Sequence, residues 1–400
     1  MIKLNSNFNN LKKDYLFVDM RRKISEYQLK NPDAKIIKLG IGDVTLPICP
    51  VIIEAMHSAV NEMSNAKTFK GYGPREGYDF LREAISKSYE KLGVNINKNE
   101  VYISDGSKND AANLQDIFSL DGNVLIIEPT YPAYVDASIM SGRNIYYVSA
   151  TQENNFLPLP YSNIDAGLIY LCSPNNPAGS TYNKAQLKKW VDYALENKAI
   201  ILFDTAYKSF IEDEDLPSSI FEVEGAKKCA IELCSFSKNA GFTGLRCAYT
   251  IIPSELIIDG ISVGSMWLRR LAAKFNGVSY ITQRAALAAL SDEGQKQINE
   301  SIAYYKKNAN VMSDAMKELG IWHVGGKNSP YIWFKCPGEM GSWEFFDYLI
   351  EKLNIVGTPG AGFGENGEGF FRFSAFGSYD ETLEAVERLK TLKSQGTLLR

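Results

Sequence analysis

Short apolar runs rich in β-branched residues recur at 101–104, 124–128, 144–149, 167–172, 199–204, 229–234 and 246–252, separated by helical or connecting stretches. Parallel strands need crossovers long enough to hold a helix, so this alternation predicts a mostly parallel seven-stranded sheet covered by helices, an α/β architecture. From about 263 to 319 helical patterns dominate; shorter strands follow near 322–325, 331–335 and 370–374, with a helix at 343–353. That tail reads as a smaller α+β domain. No Pro/Ser-rich linker, low-complexity tract or repeat interrupts the 400 residues, so one compact two-domain protein is expected.

Composition removes several function classes. The chain carries 43 basic and 47 acidic side chains, and neither sign forms a long block, so nucleic acid is not an expected partner. The first ten residues lack the apolar stretch of a signal peptide and no segment is long enough to span a bilayer, so a cytoplasmic location without a membrane partner is expected. Cysteines stand at 49, 172, 229, 234, 247 and 336 with no C-x-x-C pair, and read as small buried hydrophobes. With only His57 and His323 as histidines, a metal site or a histidine triad has little material, and no metal is expected.

The chemistry gathers around Lys238, in Cys234-Ser235-Phe236-Ser237-Lys238-Asn239, with Arg246 eight positions on. A lone S-x-S-K is ordinarily a surface lysine in a loop. A lysine amine can also form a Schiff base with an aldehyde such as pyridoxal 5'-phosphate, while Ser235, Ser237 and Arg246 meet its phosphate. Two segments favour the second reading. The run 199–203 ends in Asp204, a carboxylate at the carboxyl end of a buried strand, placed to pair with a protonated pyridine nitrogen. The strand ending at Cys172 leads into a proline-bracketed turn, Pro174-Asn175-Asn176-Pro177, which fixes an asparagine amide at the sheet edge. After the strand 101–104, the turn at Asp105 and Gly106 opens a helix at Ser107 and Lys108, whose free amides suit a phosphate.

Two nucleotide motifs fail on context. Gly362-Phe-Gly364-Glu-Asn-Gly367 fits G-x-G-x-x-G but leads into a strand, not a helix. Before Gly106-Ser-Lys108, position 101 is Val where a P-loop requires glycine.

Read in order, Asn176, Asp204, Tyr207, Lys238 and Arg246 resemble the signature of fold type I aminotransferases. Tyr15-Leu-Phe17, Leu39-Gly-Ile-Gly42-Asp-Val-Thr45, Gly71-Tyr72-Gly-Pro74, Ser104-Asp-Gly-Ser107-Lys108, Tyr131-Pro-Ala-Tyr134, Lys274-Phe-Asn276-Gly277 and Phe371-Arg372 follow one another much as in the LL-diaminopimelate aminotransferase family. The resemblance runs from about residue 11 to about 390.

It implies a large domain over 46–288 and a discontinuous small domain of 1–45 with 289–400. It further implies Lys238 as the catalytic amine and general base, Asp204 on the ring nitrogen, Tyr131 stacked on the ring, and Asn176 with Tyr207 on its phenolic oxygen. Ser107, Lys108, Ser235, Ser237 and Arg246 would hold the phosphate with Tyr72, which reaches across a homodimer interface; Asn276 would come close to cofactor and substrate, again from the partner. Tyr15, Gly42, Lys108, Tyr131, Asn176, Asn276 and Arg372 are the implied substrate contacts, with the Arg372 guanidinium on the α-carboxylate. The implied substrates are LL-diaminopimelate and 2-oxoglutarate, interconverted with tetrahydrodipicolinate and glutamate in lysine biosynthesis. Arg75 departs from the family, which has an acidic residue there. It either faces the substrate, which points to a paralogue acting on another amino acid, or faces solvent or pairs with Glu76.

Overall fold

The computed structural model describes residues 2–12, 16–40, 42–161 and 165–394. The chain enters through α1 (Leu16–Lys30), β1 (Ile37–Lys38), α2 (Pro50–Met63) and α3 (Asp79–Glu90). The central part follows as β2 (Val101–Ser104), α4 (Ser107–Asn113), β3 (Val124–Glu128), α5 (Pro132–Met140), β4 (Ile145–Ser149), β5 (Leu168–Cys172), α6 (Lys184–Glu196), β6 (Ile200–Asp204), β7 (Ala230–Ser235) and β8 (Ala248–Ile251). A hairpin of β9 (Ile257–Ile258) and β10 (Ile261–Ser262) precedes α7 (Val263–Lys274), α8 (Tyr280–Leu290) and α9 (Asp292–Leu319). The last part holds β11 (His323–Gly325), β12 (Tyr331–Lys335), α10 (Ser342–Leu353), β13 (Ile355–Val356), β14 (Thr358–Pro359), β15 (Phe370–Ser374) and α11 (Tyr379–Ser394).

Strands β2 to β8 form one seven-stranded sheet in the order β2-β8-β7-β6-β5-β3-β4, parallel throughout except that β8 runs antiparallel to both neighbours. Its inner strands β3, β5 and β6 are apolar up to their last residues because both faces are covered, and successive side chains point opposite ways. Leu125, Ile169, Ile201 and Phe203 enter one buried cluster, whereas Ile126, Leu168, Tyr170 and Leu202 enter another.

Helix ends are set by local chemistry. Asn183 caps α6 through the Gln186 amide, and that glutamine reaches back to the Asn183 N–H. The 28-residue α9 starts on Ser291 and stops at Gly320, whose φ of 71° suits a residue without a side chain.

Topology then decides where chemistry can sit. The chain steps from β3 outward to β4, returns past β3 to β5, and continues away through β6 and β7, so the connections diverge between β3 and β5. Open α/β sheets bind ligands in the crevice beyond the carboxyl ends at such a point. Tyr131 lies just past β3, Asn176 just past β5, and Asp204 ends β6. A four-stranded antiparallel sheet, β11-β12-β15-β14, sets Trp333 and Thr358 opposite Arg372. Parallel pairing of β1 with β13, Ile37 against Ile355, ties the amino-terminal segment to this second sheet's part of the chain. Among the described residues, no helix is long and apolar enough to cross a membrane.

Candidate active site

A cavity of about 310 Å³ opens at the diverging strand ends. Of the residues expected for the ring and phosphate, Ser107 and Lys108 at the start of α4, Tyr131 before α5, Asn176, Asp204, Tyr207, and Ser235, Ser237, Lys238 and Arg246 in the segment that begins at the end of β7 line it; Tyr72 does not. Gly42 and Asp43 complete its wall from the amino-terminal segment.

Lys238 is half-buried, and its Nζ donates to the Gly42 carbonyl. Burial pulls its pKa down to about 8; the nearby cations Arg372 and Arg246 act the same way, and Asp43 opposes them. An amine in that range exchanges its proton readily near neutral pH, as a general base must.

Asp204 is 6 % exposed. Its Oδ2 accepts the Tyr134 hydroxyl at 2.7 Å and its Oδ1 the Ala206 amide at 2.9 Å. Burial raises its pKa, and neither of those partners is a cation. A buried carboxylate held by a phenol and one amide is short of positive charge.

Arg246, Ser235 and Ser237 lie together in the same cavity, a grouping able to cradle an anion. Gly106 precedes α4 with φ 152°, and a Cβ there would meet Arg246 Nη2 at 2.1 Å, so glycine lets the guanidinium lie against the loop. Arg246 Nη1 donates to Ser237 Oγ at 3.4 Å, and Ser235 Oγ accepts the Ser237 amide at 3.0 Å. Arg246 itself takes a left-handed φ of 57° to turn the chain here.

In the same cavity, Asn176 Nδ2 donates to the Tyr207 hydroxyl at 3.4 Å. The turn is held by Asn175 Oδ1, which accepts the Ala178 amide at 3.0 Å. Arg372 Nη1 donates to Asn176 Oδ1 at 2.6 Å, while Nη2 donates to the Gly40 carbonyl and to Thr358 Oγ1 at 3.1 and 3.2 Å. Arg372 is 1 % exposed and its Nε has no partner among the described residues. Burial lowers its pKa, and the side chains it bonds are neutral. It borders a second cavity, of about 620 Å³, that shares Gly42, Tyr131, Asn176, Tyr207 and Lys238 with the first. Among the described residues the structure thus joins a depressed-pKa amine, a carboxylate without a cation bonded to it and a cation without an anion bonded to it.

Tyr72 and Asn276 stand apart from these cavities. Tyr72 is 91 % exposed, and Asn276 is exposed at the end of α7. A Cβ on Gly277 would meet the Pro74 carbonyl at 3.1 Å and Arg75 Cα at 3.8 Å, so the loops carrying Arg75 and Asn276 adjoin on one exposed face. Arg75 is exposed. Tyr15 lies outside the described residues.

Tyr134, Tyr331 and Thr358 were not expected from the sequence as site residues. Tyr134 follows Tyr131 by three positions on the first turn of α5, a spacing that places both on one face and was the signal available. Tyr331 and Thr358 are brought in by strand pairing and left no local signal.

Fold and site together define a fold type I aminotransferase. The model of the family "Aminotransferase class I and II" matches residues 34–389. The LL-diaminopimelate aminotransferase of Agathobacter rectalis is 50% identical over 406 residues, covering 98% of this chain and 100% of the relative. That of Methanosphaera stadtmanae is 48% identical over 410 residues, covering 98% and 99%. Among solved structures, the L,L-diaminopimelate aminotransferase from Chlamydomonas reinhardtii superposes with a TM-score of 0.91 at 41% identity, covering 98% of each chain. The chain belongs to the LL-diaminopimelate aminotransferase family, within aminotransferase class I and II.

Proposed function

We propose that the chain is a pyridoxal 5'-phosphate-dependent aminotransferase that interconverts LL-diaminopimelate and 2-oxoglutarate with tetrahydrodipicolinate and glutamate. The observation that carries this reading is the charge pattern of the connected cavities among the described residues: Lys238 near pKa 8, Asp204 without a cation bonded to it and Arg372 without an anion bonded to it. Whole-length identity of 50% to a curated relative supports the substrate assignment.

The residues fit the cofactor. A cationic ring nitrogen supplies what buried Asp204 lacks, and the Ser107–Lys108 helix start with Ser235, Ser237 and Arg246 forms a cradle for a phosphate dianion. Asn176 and Tyr207 offer donors to the phenolic oxygen, and Tyr131 offers a ring face. When bound, pyridoxal phosphate supplies the aldehyde that receives an amino group and the ring that takes up electrons.

The chain's own groups do the rest. Arg372 binds the substrate α-carboxylate, with Gly42 leaving room beside it, and so orients the α-carbon. Lys238 Nζ, held toward Gly42, removes the proton at that carbon and delivers it again as a general acid. Kinetics should be ping-pong. Tyr72 and Asn276 fit service in a partner's site across a homodimer, with the large domain over 46–288 and the small one over 1–45 and 289–400, in a cytoplasmic enzyme.

Exposed Arg75 favours one second reading, a paralogue with another amino donor. An amino-donor screen of the purified holoenzyme with 2-oxoglutarate separates the two. Preference for LL-diaminopimelate over its meso isomer and over common amino acids is expected; a higher kcat/KM for a donor with an uncharged or acidic far end would overturn the substrate assignment.

A further inference from the structure

Tyr331 is 1 % exposed and lines the larger cavity beside Asn176, Tyr207, Lys238 and Arg372. Its hydroxyl lies 2.9 Å from that of Tyr207, with the rings edge to face at 5.0 Å. The Arg372 guanidinium stands over the Tyr331 ring, 4.3 Å from its centroid. A Cβ on Gly42 would come within 3.3 Å of the Tyr331 oxygen, so a glycine there keeps this hydroxyl clear.

We propose that Tyr331 is a positioning residue: its hydroxyl donates to the Tyr207 oxygen, which reserves the Tyr207 proton for the cofactor's phenolic oxygen, and Arg372 couples this relay to the carboxylate site. The inference rests on the cofactor reading above.

A phenol has one proton to give and two lone pairs to fill. Asn176 Nδ2 already supplies one donor to Tyr207. Were Tyr207 to give its proton to Tyr331, none would remain for the cofactor. The guanidinium over the Tyr331 ring decides the direction, because a cation stabilises charge building on that phenol and makes it the better donor. Burial raises both phenols and Arg372 opposes the rise at each; Tyr207 opposes it further at Tyr331, whereas Tyr331 adds to it at Tyr207, which is driven well above its ordinary value. The other titratable neighbour of Tyr331 is the Cys172 thiol, whose own pKa burial holds well up.

Two routes therefore connect Arg372 with the phenolic oxygen. One runs directly through Asn176, the other through Tyr331 and Tyr207. A substrate carboxylate that neutralises Arg372 weakens Tyr331 as a donor, and the oxygen loses support as the substrate arrives.

The test is a pH titration of the holoenzyme's visible absorbance, followed in wild type, Y331F, Y207F and the double variant. A weaker donor at Tyr207 leaves more negative charge on the phenolic oxygen, so Y331F should raise the midpoint by about 0.4–1 unit, the size of one net hydrogen bond. In the Y207F background it should add nothing. An unchanged midpoint in Y331F, or an equal shift in both backgrounds, overturns the relay. A wild-type holoenzyme with no titrating visible band defeats the cofactor reading itself, and the relay falls with it. Should Y331F not retain cofactor, the Asn176→Ala variant decides: glutarate, a dicarboxylate with no reacting group, should still raise its midpoint through Tyr331, and complete loss of that rise overturns the proposal.

Discussion

Arg372 Nη1 donates to Asn176 Oδ1 at 2.6 Å, so the guanidinium proposed to bind a carboxylate is braced by a side chain that also reaches Tyr207. Position and charge are fixed together. The fork needs Nη1 for Asn176 and Nη2 for Gly40 and Thr358, and a lysine ammonium cannot span that set. Arg372→Lys should lower kcat/KM for amino donor and keto acid alike by roughly 10- to 150-fold, equivalent to one charge-assisted hydrogen bond of about 1.5–3 kcal/mol. Steady-state kinetics check it, and the visible absorbance of bound cofactor should persist.

Asp204 gives a prediction of opposite sign for stability and activity. Its folded pKa is raised, so the folded chain keeps a proton that the unfolded chain gives up from about pH 3.8 upward. Its ionisation therefore costs stability as pH rises through that window, and the whole cost persists above the folded pKa. Asp204→Asn removes the charge while keeping an acceptor for Tyr134. The cofactor-free variant should melt above cofactor-free wild type at pH 8, with the gap closing toward pH 4. Turnover should fall by about 100-fold or more, some 2.7 kcal/mol in the barrier. A lower melting temperature at pH 8 would contradict the electrostatic reading.

Gly106→Ala tests the anion cradle. The new methyl would lie 2.1 Å from Arg246 Nη2 at a φ of 152°, so the guanidinium must leave the loop. The cofactor's dissociation constant should rise about tenfold or more, the equivalent of about 1.4 kcal/mol. Equilibrium binding to the cofactor-free protein measures it, and unaltered affinity would remove Arg246 from the phosphate site.

Complementation tests the homodimer. Tyr72 is 91 % exposed in the single chain, as a residue serving a partner's site would be. Tyr72→Ala and Lys238→Ala, each inactive alone, should recover about one quarter of wild-type activity when dissociated and re-associated as a mixture, because half the dimers then carry one intact site. Activity that stays at the level of the separate variants counts against shared sites.

How much was legible follows from where each signal lay. Asp204, Asn176 and Lys238 each sit at or just past the carboxyl end of a buried strand, in a local pattern that already names its chemistry. The direction of β8 was not legible, because a strand buried on both faces reads the same parallel or antiparallel. Strands of two residues, such as β13 and β14, are too short to show any period. Tyr331 reaches Tyr207 across 124 positions of sequence, through a sheet pairing that no local pattern encodes. Arg75 was not legible as a specificity residue because its loop lies on the exposed face beside Gly277, outside the residues that line the two cavities.

The most direct test of the site is chemical trapping. Borohydride reduction of the purified holoenzyme, followed by peptide mapping, should find the reduced cofactor on Lys238 alone, whose half-buried amine near pKa 8 faces the cavity shared with Asp204. Attachment to Lys108, the other lysine lining that cavity, or to any lysine outside it, would contradict the account.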